Sequence, residues 1–310
     1  MPEQPAKETL FLHDAEMGLG AWAWGDRTFW HYGHGYTDED IAGAFRISLA
    51  AGVNLIDTAE IYGSGHSERL LGQLIKNTEI PVIVATKFFP IPYRLTKHSV
   101  VHALRGSLER LGLECVYLYQ LNWPSPVVPI RTYVEGLALA VQAGLTRNVG
   151  VSNYNLRQMR QAHSILKKHG IPLASNQVEY HLLERKVERS GLMEQCKEMG
   201  VRLIAYSPLA MGLLTGKYTS ETSPPGPRGR KYAAILEELP ALIALMTEIG
   251  KGHGEKTPGQ VALNWVICKG GLPIPGAKTA AQAEQNVGAL GWRLTPEEVK
   301  ALDIASDKIV

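Results

Sequence analysis

Four polar side chains stand where they could surround a proton transfer: Asp57, Tyr62, Lys87 and Asn122. Asp57, Lys87 and Asn122 each end a short apolar run, and Tyr62 follows Asp57 closely. A free tyrosine has a pKa of about 10 and is a poor acid at neutral pH, but a neighbouring lysine favours the phenolate and lowers that pKa. An aspartate paired with the lysine would hold it in place and keep it charged. These residue types predict that Tyr62 is a general acid, which Lys87 tunes and Asp57 anchors.

That interpretation depends on the strand ends meeting, because a single aspartate or lysine at a strand end is usually a cap or half of a surface ion pair. The sequence does alternate strand-like runs with helical segments almost to its end, which is typical of a parallel sheet. The predicted strands are Glu16–Trp22, Val53–Asp57, Pro81–Lys87, Val116–Asn122, Asn148–Ser152, Ala174–Val178, Val201–Tyr206 and Leu272–Pro275. The predicted helices are Thr37–Ala51, Ser67–Lys76, Thr96–Leu111, Tyr133–Ala143, Asn155–Lys168, Val187–Met199, a longer helical stretch over Tyr232–Lys269, Thr279–Ala289 and Pro296–Ala305.

Two architectures fit this alternation, a (β/α)₈ TIM barrel and a doubly wound open sheet. The open sheet would normally show G-x-G-x-x-G after an early strand, at the start of a helix. Gly18-Leu19-Gly20 follows the first strand-like run, but Trp22 and Trp24 stand where that helix should begin. We therefore predict an α/β fold of the barrel type, in which the carboxyl ends of the strands share one mouth.

Length and composition fit one barrel domain over residues 1–310. The chain is 45% hydrophobic, enough for a large core, which excludes a disordered or fibrous protein. Its net charge of +2 gives no reason to expect a nucleic acid or a membrane surface as partner. The three cysteines form no CxxC pair, and His31 and His34 lack further ligands at metal-binding spacing, so we predict a reducing compartment and no metal. The polar N-terminus predicts a cytoplasmic protein, although an organellar leader missing from this sequence stays open.

Several motifs between about Gly18 and Asn286 follow the pattern of one family. They are Ile56-Asp57-Thr58-Ala59-Glu60-Ile61-Tyr62-Gly63-Ser64-Gly65 with Ser67-Glu68, Lys87, Tyr119-Gln120-Leu121-Asn122-Trp123-Pro124, Gly150-Val151-Ser152-Asn153-Tyr154, Gln177, Ala205-Tyr206-Ser207-Pro208-Leu209 with Gly216-Lys217, and Pro273-Ile274-Pro275-Gly276-Ala277-Lys278. Together they closely resemble the aldo-keto reductases. The resemblance implies a (β/α)₈ barrel and NADPH-dependent reduction of a carbonyl compound, with a catalytic tetrad that matches Asp57, Tyr62, Lys87 and Asn122.

Asn122 departs from the common family pattern, which has histidine at that position. An asparagine still offers an amide N–H to a carbonyl oxygen, but it cannot carry a proton. The β subunits of voltage-gated potassium channels are family members that also have asparagine there, and they bind NADPH and reduce slowly. The resemblance therefore implies a reductase of low or moderate turnover, or alternatively an NADP(H)-binding redox sensor or regulatory subunit.

The same resemblance implies a binding site for NADPH/NADP⁺. Gly20, Ala21 and Trp22 match residues beside the nicotinamide ribose, together with Asp57. Tyr206 matches the residue that stacks on the nicotinamide ring. Further cofactor-binding positions are Ser152, Asn153 and Gln177 at the carboxamide, Ser207, Pro208, Leu209, Gly212 and Lys217 at the pyrophosphate, and Gly276, Lys278, Gln282, Gln285 and Asn286 beyond it.

The preference for NADPH over NADH depends on Lys278. Lys278 precedes the predicted helix Thr279–Ala289, so a cation and a helix N-terminus would meet the 2′-phosphate together. Gln282 stands where many relatives have arginine and brings no charge, which weakens that preference and leaves dual cofactor use open. The basic segment Arg228–Lys231 is a candidate cover over the pyrophosphate.

The predicted substrate is a small carbonyl compound with an aromatic or extended apolar body. The side chains predicted to surround it are Trp22, Trp24, Phe29, Trp30, Phe88, Phe89, Tyr93 and Trp123. Pyridoxal, steroid-like ketones and simple aldehydes are not distinguished by the sequence, and the oligomeric state is left open.

Overall fold

The computed structural model describes residues 11–219, 222, 224, 229, 230 and 233–309. Within them, eight parallel strands pair in chain order, each with the next along the chain. The strands are β1 (Leu19–Gly20), β2 (Leu55–Asp57), β3 (Ile83–Phe88), β4 (Val116–Leu121), β5 (Thr146–Ser152), β6 (Leu173–Glu179), β7 (Arg202–Tyr206) and β8 (Leu272–Pro273). This order confirms the predicted (β/α)₈ barrel. The doubly wound alternative is wrong, since its strand order reverses partway across the sheet.

Most of the described helices lie between successive strands, while one precedes β1 and two follow β8. Those described are α1 (Phe11–Asp14), α2 (Asp38–Ala50), α3 (His66–Lys76), α4 (Lys97–Leu111), α5 (Ile130–Gln142), α6 (Leu156–Lys167), α7 (Lys186–Arg189), α8 (Leu192–Glu198), α9 (Leu239–Gly252), α10 (Pro258–Cys268), α11 (Ala280–Val287) and α12 (Pro296–Asp307). The prediction of one helix over Val187–Met199 is wrong, because Gly191 adopts a left-handed conformation (φ 73°) between α7 and α8. None of these described helices is long and apolar enough to cross a membrane.

Backbone hydrogen bonds between β1 and the segment around β8 close the barrel. The amide of Gly18 donates to the carbonyl of Pro273, and the amide of Gly20 donates to that of Pro275, both at 3.0 Å. A Cβ atom at Gly20 would lie 2.8 Å from the carbonyl oxygen of Ile274, so glycine permits this close approach.

The barrel interior changes character along its axis. Its amino-terminal part is filled by apolar side chains, including Leu55, Ala85, Leu118 and Ile204 from the strands and Leu12 from α1. Because strand side chains alternate between the two faces, the next inward positions of β2, β3 and β4 are Asp57, Lys87 and Gln120. The polar residues are therefore held at the carboxyl ends, above an apolar plug.

Candidate active site

Asp57, Lys87 and Tyr62 meet at the carboxyl ends of β2 and β3. The Lys87 ammonium group donates to a carboxylate oxygen of Asp57, to the carbonyl of Thr58 at 2.8 Å and to the hydroxyl of Tyr62 at 3.3 Å. Asp57 and Lys87 are both almost fully buried. The structure thus brings the three predicted residues together, with Lys87 between the carboxylate and the phenol.

Two buried glutamines complete the surroundings of Asp57. Gln177 Nε2 donates to Asp57 Oδ2 at 2.8 Å, and Gln120 Nε2 approaches the same oxygen at 3.3 Å. The hydroxyl of Ser175 in turn donates to Gln120 Oε1 at 3.2 Å. Sequence reasoning assigned no role to Gln120, although strand alternation places it on the same face as Asn122. Lys87 pairs with one carboxylate oxygen of Asp57, and the two glutamine amides supply hydrogen bonds to the other.

The pKa values of this cluster differ from our prediction in one respect. Burial raises the pKa of Tyr62, Lys87 lowers it part of the way back, and Asp57 raises it again, so it lies above the ordinary value. Lys87 lowers the pKa as predicted, but the predicted net lowering is wrong, because loss of water outweighs the lysine charge. Burial alone would lower the pKa of Lys87, but Asp57 and Tyr62 raise it above the ordinary value. A neutral phenol therefore lies beside a charged ammonium group at neutral pH.

A tight turn presents Tyr62. The residues after it, Gly63 and Ser64, adopt positive φ angles of 54° and 53°. A Cβ atom at Gly63 would lie 2.6 Å from the carbonyl oxygen of Gly25, so this turn packs directly on the loop after β1. Ser67, at the start of α3, donates to the carbonyl of Ala21 at 3.0 Å and joins the same two loops.

Asn153 links three strand ends on the opposite wall. It has a positive φ of 61°, and its Nδ2 donates to the carbonyl of Asn122 at 3.0 Å and to the hydroxyl of Ser152 at 3.1 Å. The hydroxyl of Tyr206 donates to Asn153 Oδ1 at 3.0 Å. The ends of β4, β5 and β7, and with them the Tyr206 ring, are therefore fixed relative to one another.

A cavity of about 1130 Å³ opens over these residues. It is lined by Tyr62, Asn122 and nearly every predicted cofactor residue: Gly20, Trp22, Asp57, Ser152, Asn153, Gln177, Tyr206, Ser207, Pro208, Leu209, Gly212, Lys217, Gly276, Lys278, Gln282, Gln285 and Asn286. Ala21 instead lies in the core with no exposed surface, and Lys87 lies behind Tyr62. Sequence reasoning missed further lining residues far along the chain, among them Met211, Thr257 and Gln260.

The predicted aromatic residues divide between the cavity and the core. Trp22, Trp30, Phe89 and Trp123 line the cavity. Phe29 stacks on Trp22 with a ring separation of 5.1 Å, and Tyr93 is 79% exposed. The prediction is wrong for Trp24 and Phe88, both of which have no exposed surface. Phe88 follows the inward-facing Lys87 on β3, so alternation directs it outward into the helical layer.

The segment after β7 forms a turn with several left-handed residues. Ser207, Ala210, Met211 and Gly212 have φ angles of 50°, 49°, 54° and 98°. Successive backbone amides in such a turn can face one point and bind an anion, and Lys217 lines the cavity beside it. Of the predicted basic cover Arg228–Lys231, residues Arg228 and Lys231 lie outside the described part of the chain.

Lys278 precedes α11, as predicted, and also contacts the loop after β1. Its ammonium group donates to the carbonyl of Trp30 at 3.3 Å and lies 4.7 Å and 4.5 Å from the ring centres of Trp30 and Tyr36. Its backbone amide donates to Gln282 Oε1 at 2.8 Å, and Thr279 caps the helix. The cation and the helix start therefore lie at the same end of the cavity.

Fold and site together define a (β/α)₈ barrel protein in which a tyrosine, held beside a buried lysine–aspartate pair, lines a cavity of about 1130 Å³ at the carboxyl ends of the strands. A model of the aldo/keto reductase family matches residues 16–307. The chain is 44% identical over 308 residues to "Pyridoxal reductase, chloroplastic" of Arabidopsis thaliana, an alignment that covers 95% of this chain and 84% of that protein. The chain therefore belongs to the aldo/keto reductase family, and the predicted oxidoreductase class is confirmed.

Solved structures agree with this assignment. The glycerol dehydrogenase AKR11B4 from Gluconobacter oxydans is 28% identical, with a TM-score of 0.83 over 95% of this chain and 92% of that chain. An aldo-keto reductase from Klebsiella pneumoniae, solved in complex with NADPH, is 28% identical, with a TM-score of 0.73 over 93% of this chain and 90% of that chain. The Arabidopsis relative is named as a chloroplast protein, so cytoplasmic location of the present chain stays a prediction.

Proposed function

We propose that this protein reduces aldehydes and ketones to alcohols with NADPH, in a reversible hydride transfer for which Tyr62 is the general acid. The observation that carries the proposal is the neutral Tyr62 hydroxyl, 3.3 Å from the Lys87 ammonium group and lining the cavity. A phenol beside a fixed cation can release its proton to a substrate oxygen, because the cation stabilises the phenolate that remains.

The cavity fits the NADP(H) cofactor that this family uses. The Tyr206 ring would lie against the nicotinamide, with Ser152, Asn153 and Gln177 at its carboxamide. The left-handed turn after β7 and Lys217 would hold the pyrophosphate, and Lys278 with the start of α11 would hold the 2′-phosphate. When bound, NADPH supplies the hydride to the carbonyl carbon.

The protein's own groups then handle the charge that develops on the substrate oxygen. Tyr62 donates its proton to that oxygen, and Lys87 remains charged because Asp57 lies against it. The amide of Asn122 lines the same cavity and would donate a hydrogen bond to the oxygen without moving a proton. Alcohol oxidation uses the same groups in reverse, with the Tyr62 phenolate as base.

An NADPH-oxidation assay over a panel of aldehydes and ketones tests this function. We expect turnover of aromatic aldehydes that depends on Tyr62, and no turnover of any carbonyl compound would contradict the proposal.

Fluorescence titration with NADPH and NADH tests the cofactor site: in Lys278→Met, NADPH affinity should fall about tenfold and NADH affinity should stay the same. Equal affinities of the unmodified protein for the two cofactors would contradict the role of Lys278.

Pyridoxal is the substrate that we propose first, because the Arabidopsis relative named for pyridoxal reduction is 44% identical over nearly the whole chain. Pyridoxal is a flat aromatic aldehyde, and Trp22, Phe89 and Trp123 offer flat surfaces along the cavity. The panel should therefore compare pyridoxal with a nitrobenzaldehyde and a steroid ketone. A kcat/KM for pyridoxal well below that for the nitrobenzaldehyde would contradict this assignment.

Asn122 favours a second candidate, an NADP(H)-binding sensor or regulatory subunit with slow turnover. An asparagine supplies a hydrogen bond but no titratable group, so it would weaken proton delivery without weakening cofactor binding. Steady-state turnover measured beside the rate of cofactor release separates the two candidates. An enzyme oxidises many NADPH molecules per minute when its substrate is saturating. A sensor binds NADPH tightly and oxidises it barely faster than it releases the cofactor.

A further inference from the structure

Glu60 joins the loop that carries Tyr62 to the loop after β3. It stands between Asp57 and Tyr62, and its Oε1 accepts the backbone amide of Phe89 at 2.7 Å. Arg94 approaches the same carboxylate with both terminal nitrogens, one donating to Oε1 and the other to Oε2 at 3.0 Å. The side chains of Glu60 and Arg94 are only 9% and 20% exposed. The Glu60 carboxylate therefore accepts hydrogen bonds from both ends of the loop after β3, from Phe89 and from Arg94.

Arg94 is itself fixed by further contacts. It donates to the carbonyl of Phe89 at 3.0 Å, and its guanidinium carbon lies 5.0 Å from the centre of the buried Phe88 ring. The hydroxyl of Tyr133, on α5, donates to the Arg94 carbonyl. Phe88 and Tyr133 pack together in the core, with ring centres 4.9 Å apart. The arginine thus connects Glu60 to the rigid helical layer.

Phe89 connects the Glu60–Arg94 pair to the cavity. Phe89 is half-buried and lines the cavity, whereas Phe88 beside it is buried in the core. Between Phe89 and Arg94 the loop has short-range backbone bonds through Ile91, and Tyr93 is largely exposed. Bidentate arginine–carboxylate bonds and charge-assisted amide bonds are among the stronger contacts in proteins. The Glu60 carboxylate is therefore a direct contact between the loop that carries Tyr62 and the backbone of Phe89, in addition to the strand that precedes Phe89.

We propose that Glu60 and Arg94 are positioning residues for substrate specificity, which place Phe89 against the ring or apolar body of the carbonyl substrate while Tyr62 meets its oxygen. The inference rests on the proposed function for its substrate, since it assigns Phe89 to the substrate end of that site. It predicts a selective effect: bulky aromatic aldehydes depend on the pair, and aldehydes too small to reach Phe89 do not.

The first test compares Glu60→Gln with the unmodified protein on a nitrobenzaldehyde and on propanal. We expect KM for the nitrobenzaldehyde to rise about tenfold, as for loss of one charge-assisted contact, with most of the change in KM rather than kcat. KM for propanal and the dissociation constant for NADPH should change by less than about twofold. Glu188→Gln is the matched control, because Glu188 also pairs with a partly buried arginine, but its partners Tyr180, Arg185 and Lys269 do not line the cavity as Phe89 does. It should change none of these constants.

A double-mutant cycle with Phe89→Ala makes the test specific. If the pair acts through Phe89, Glu60→Gln in the Phe89→Ala background should leave KM for the nitrobenzaldehyde within about twofold of Phe89→Ala alone. A full tenfold rise in that background would overturn the proposal, as would an equal rise for propanal. Arg94→Lys, which keeps the charge but loses the bidentate geometry, should reproduce most of the Glu60→Gln effect.

Hydrogen exchange tests the pair without any assay of activity. Amides from Phe89 to Leu95 should exchange faster in Glu60→Gln, while those of β4 exchange as before. Unchanged exchange in the loop would overturn the positioning role, even in an active enzyme. Faster exchange in a protein that reduces no carbonyl compound would support the role of Glu60 and locate the failure in the proposed function.

Discussion

Tyr62 and Tyr180 are two tyrosines whose hydroxyls have charged neighbours of opposite sign. The Tyr62 hydroxyl accepts a hydrogen bond from Lys87 and lines the cavity. The Tyr180 hydroxyl donates to Glu188 at 2.7 Å, and the side chain has no exposed surface. Burial raises the pKa of both, and the nearby charge then acts in opposite directions, since Lys87 lowers the pKa of Tyr62 and Glu188 raises that of Tyr180.

The surroundings of Tyr180 form a structural cluster. Glu188 also accepts hydrogen bonds from Arg185, at 2.8 Å and 3.1 Å, and pairs with Lys269 at 3.0 Å. Asp303, on α12, pairs with Lys269 at 2.9 Å, so the cluster holds α7, α10 and α12 together. Arg185 and Lys269 both pair with Glu188 and with Asp303, Arg185 also pairs with Asp307, and the Tyr180 hydroxyl donates its proton to an anion. A phenol becomes a usable acid when its neighbour is a cation and a substrate can reach it.

Substituting each tyrosine by phenylalanine should produce the largest contrast. Tyr62→Phe removes the proton donor and should lower kcat/KM for carbonyl reduction by about a thousandfold, with NADPH affinity retained. Tyr180→Phe does not touch the reacting groups but removes the hydrogen bond to Glu188. Its kcat/KM should therefore stay within about twofold, while its thermal stability falls. NADPH oxidation, NADPH fluorescence and thermal melts measure the three quantities. Comparable losses of activity in both variants would contradict the contrast.

Lys87→Met tests the cation beside Tyr62, and we expect kcat/KM for reduction to fall about a hundredfold. The rates of reduction and of alcohol oxidation should depend on pH with opposite signs. Reduction needs neutral Tyr62, so its rate should be level through neutral pH and fall only above about 10, since the pKa of Tyr62 lies above its ordinary value. Alcohol oxidation needs the phenolate and should rise with pH, and in Lys87→Met that rise should move to still higher pH. Identical pH profiles in both proteins would show that Lys87 does not tune Tyr62.

Glu188→Gln tests the structural cluster in the same way. Burial alone would raise the pKa of Glu188, but hydrogen bonds, first from Arg185 and then from Tyr180, lower it to about 2. A carboxylate whose pKa is lowered by folding adds stability above its ordinary pKa, and that stability is lost as pH falls from about 4.5 to 2. After allowance for solvent screening, the variant should lose about 2 kcal/mol of unfolding free energy at neutral pH. Urea titrations at several pH values measure the loss, which should vanish in acid; a loss independent of pH would contradict the charge argument.

The two clusters differ in how far the sequence predicts them. Asp57 and Lys87 end predicted strands whose apolar runs are visible in the chain, so the barrel topology alone brings them together. Gln120 lies inside a strand and shows itself only through alternation with Asn122. Its pairing with Asp57 depends on the barrel radius and on side-chain rotamers, which no local pattern encodes.

The structural cluster could not be predicted from sequence spacing. Arg185 and Glu188 lie three residues apart at the start of one short helix, but Lys269 follows α10 and Asp303 lies on α12, much further along the chain. Charged side chains of these types occur throughout the sequence, and only the packing of α12 determines which of them form ion pairs. The same reason explains the error at Trp24, whose side chain the packing places in the core, whereas alternation along β3 could have placed Phe88 outside the barrel.

Asn122→His refines the comparison by adding a titratable group to the site that already holds the usable proton. The Asn122 amide lines the cavity with Tyr62, and its backbone carbonyl is held by Asn153, so a histidine there would start from the same fixed backbone. If proton delivery limits turnover, histidine should raise kcat on a nitrobenzaldehyde by about fivefold near neutral pH, where imidazole can donate and accept. Asn122→Leu, which removes the amide hydrogen bond and adds no proton, is the matched variant and should lower kcat instead. A histidine variant no faster than the unmodified protein would show that Asn122 does not limit the reaction, and that cofactor release or the geometry set by Asn153 does.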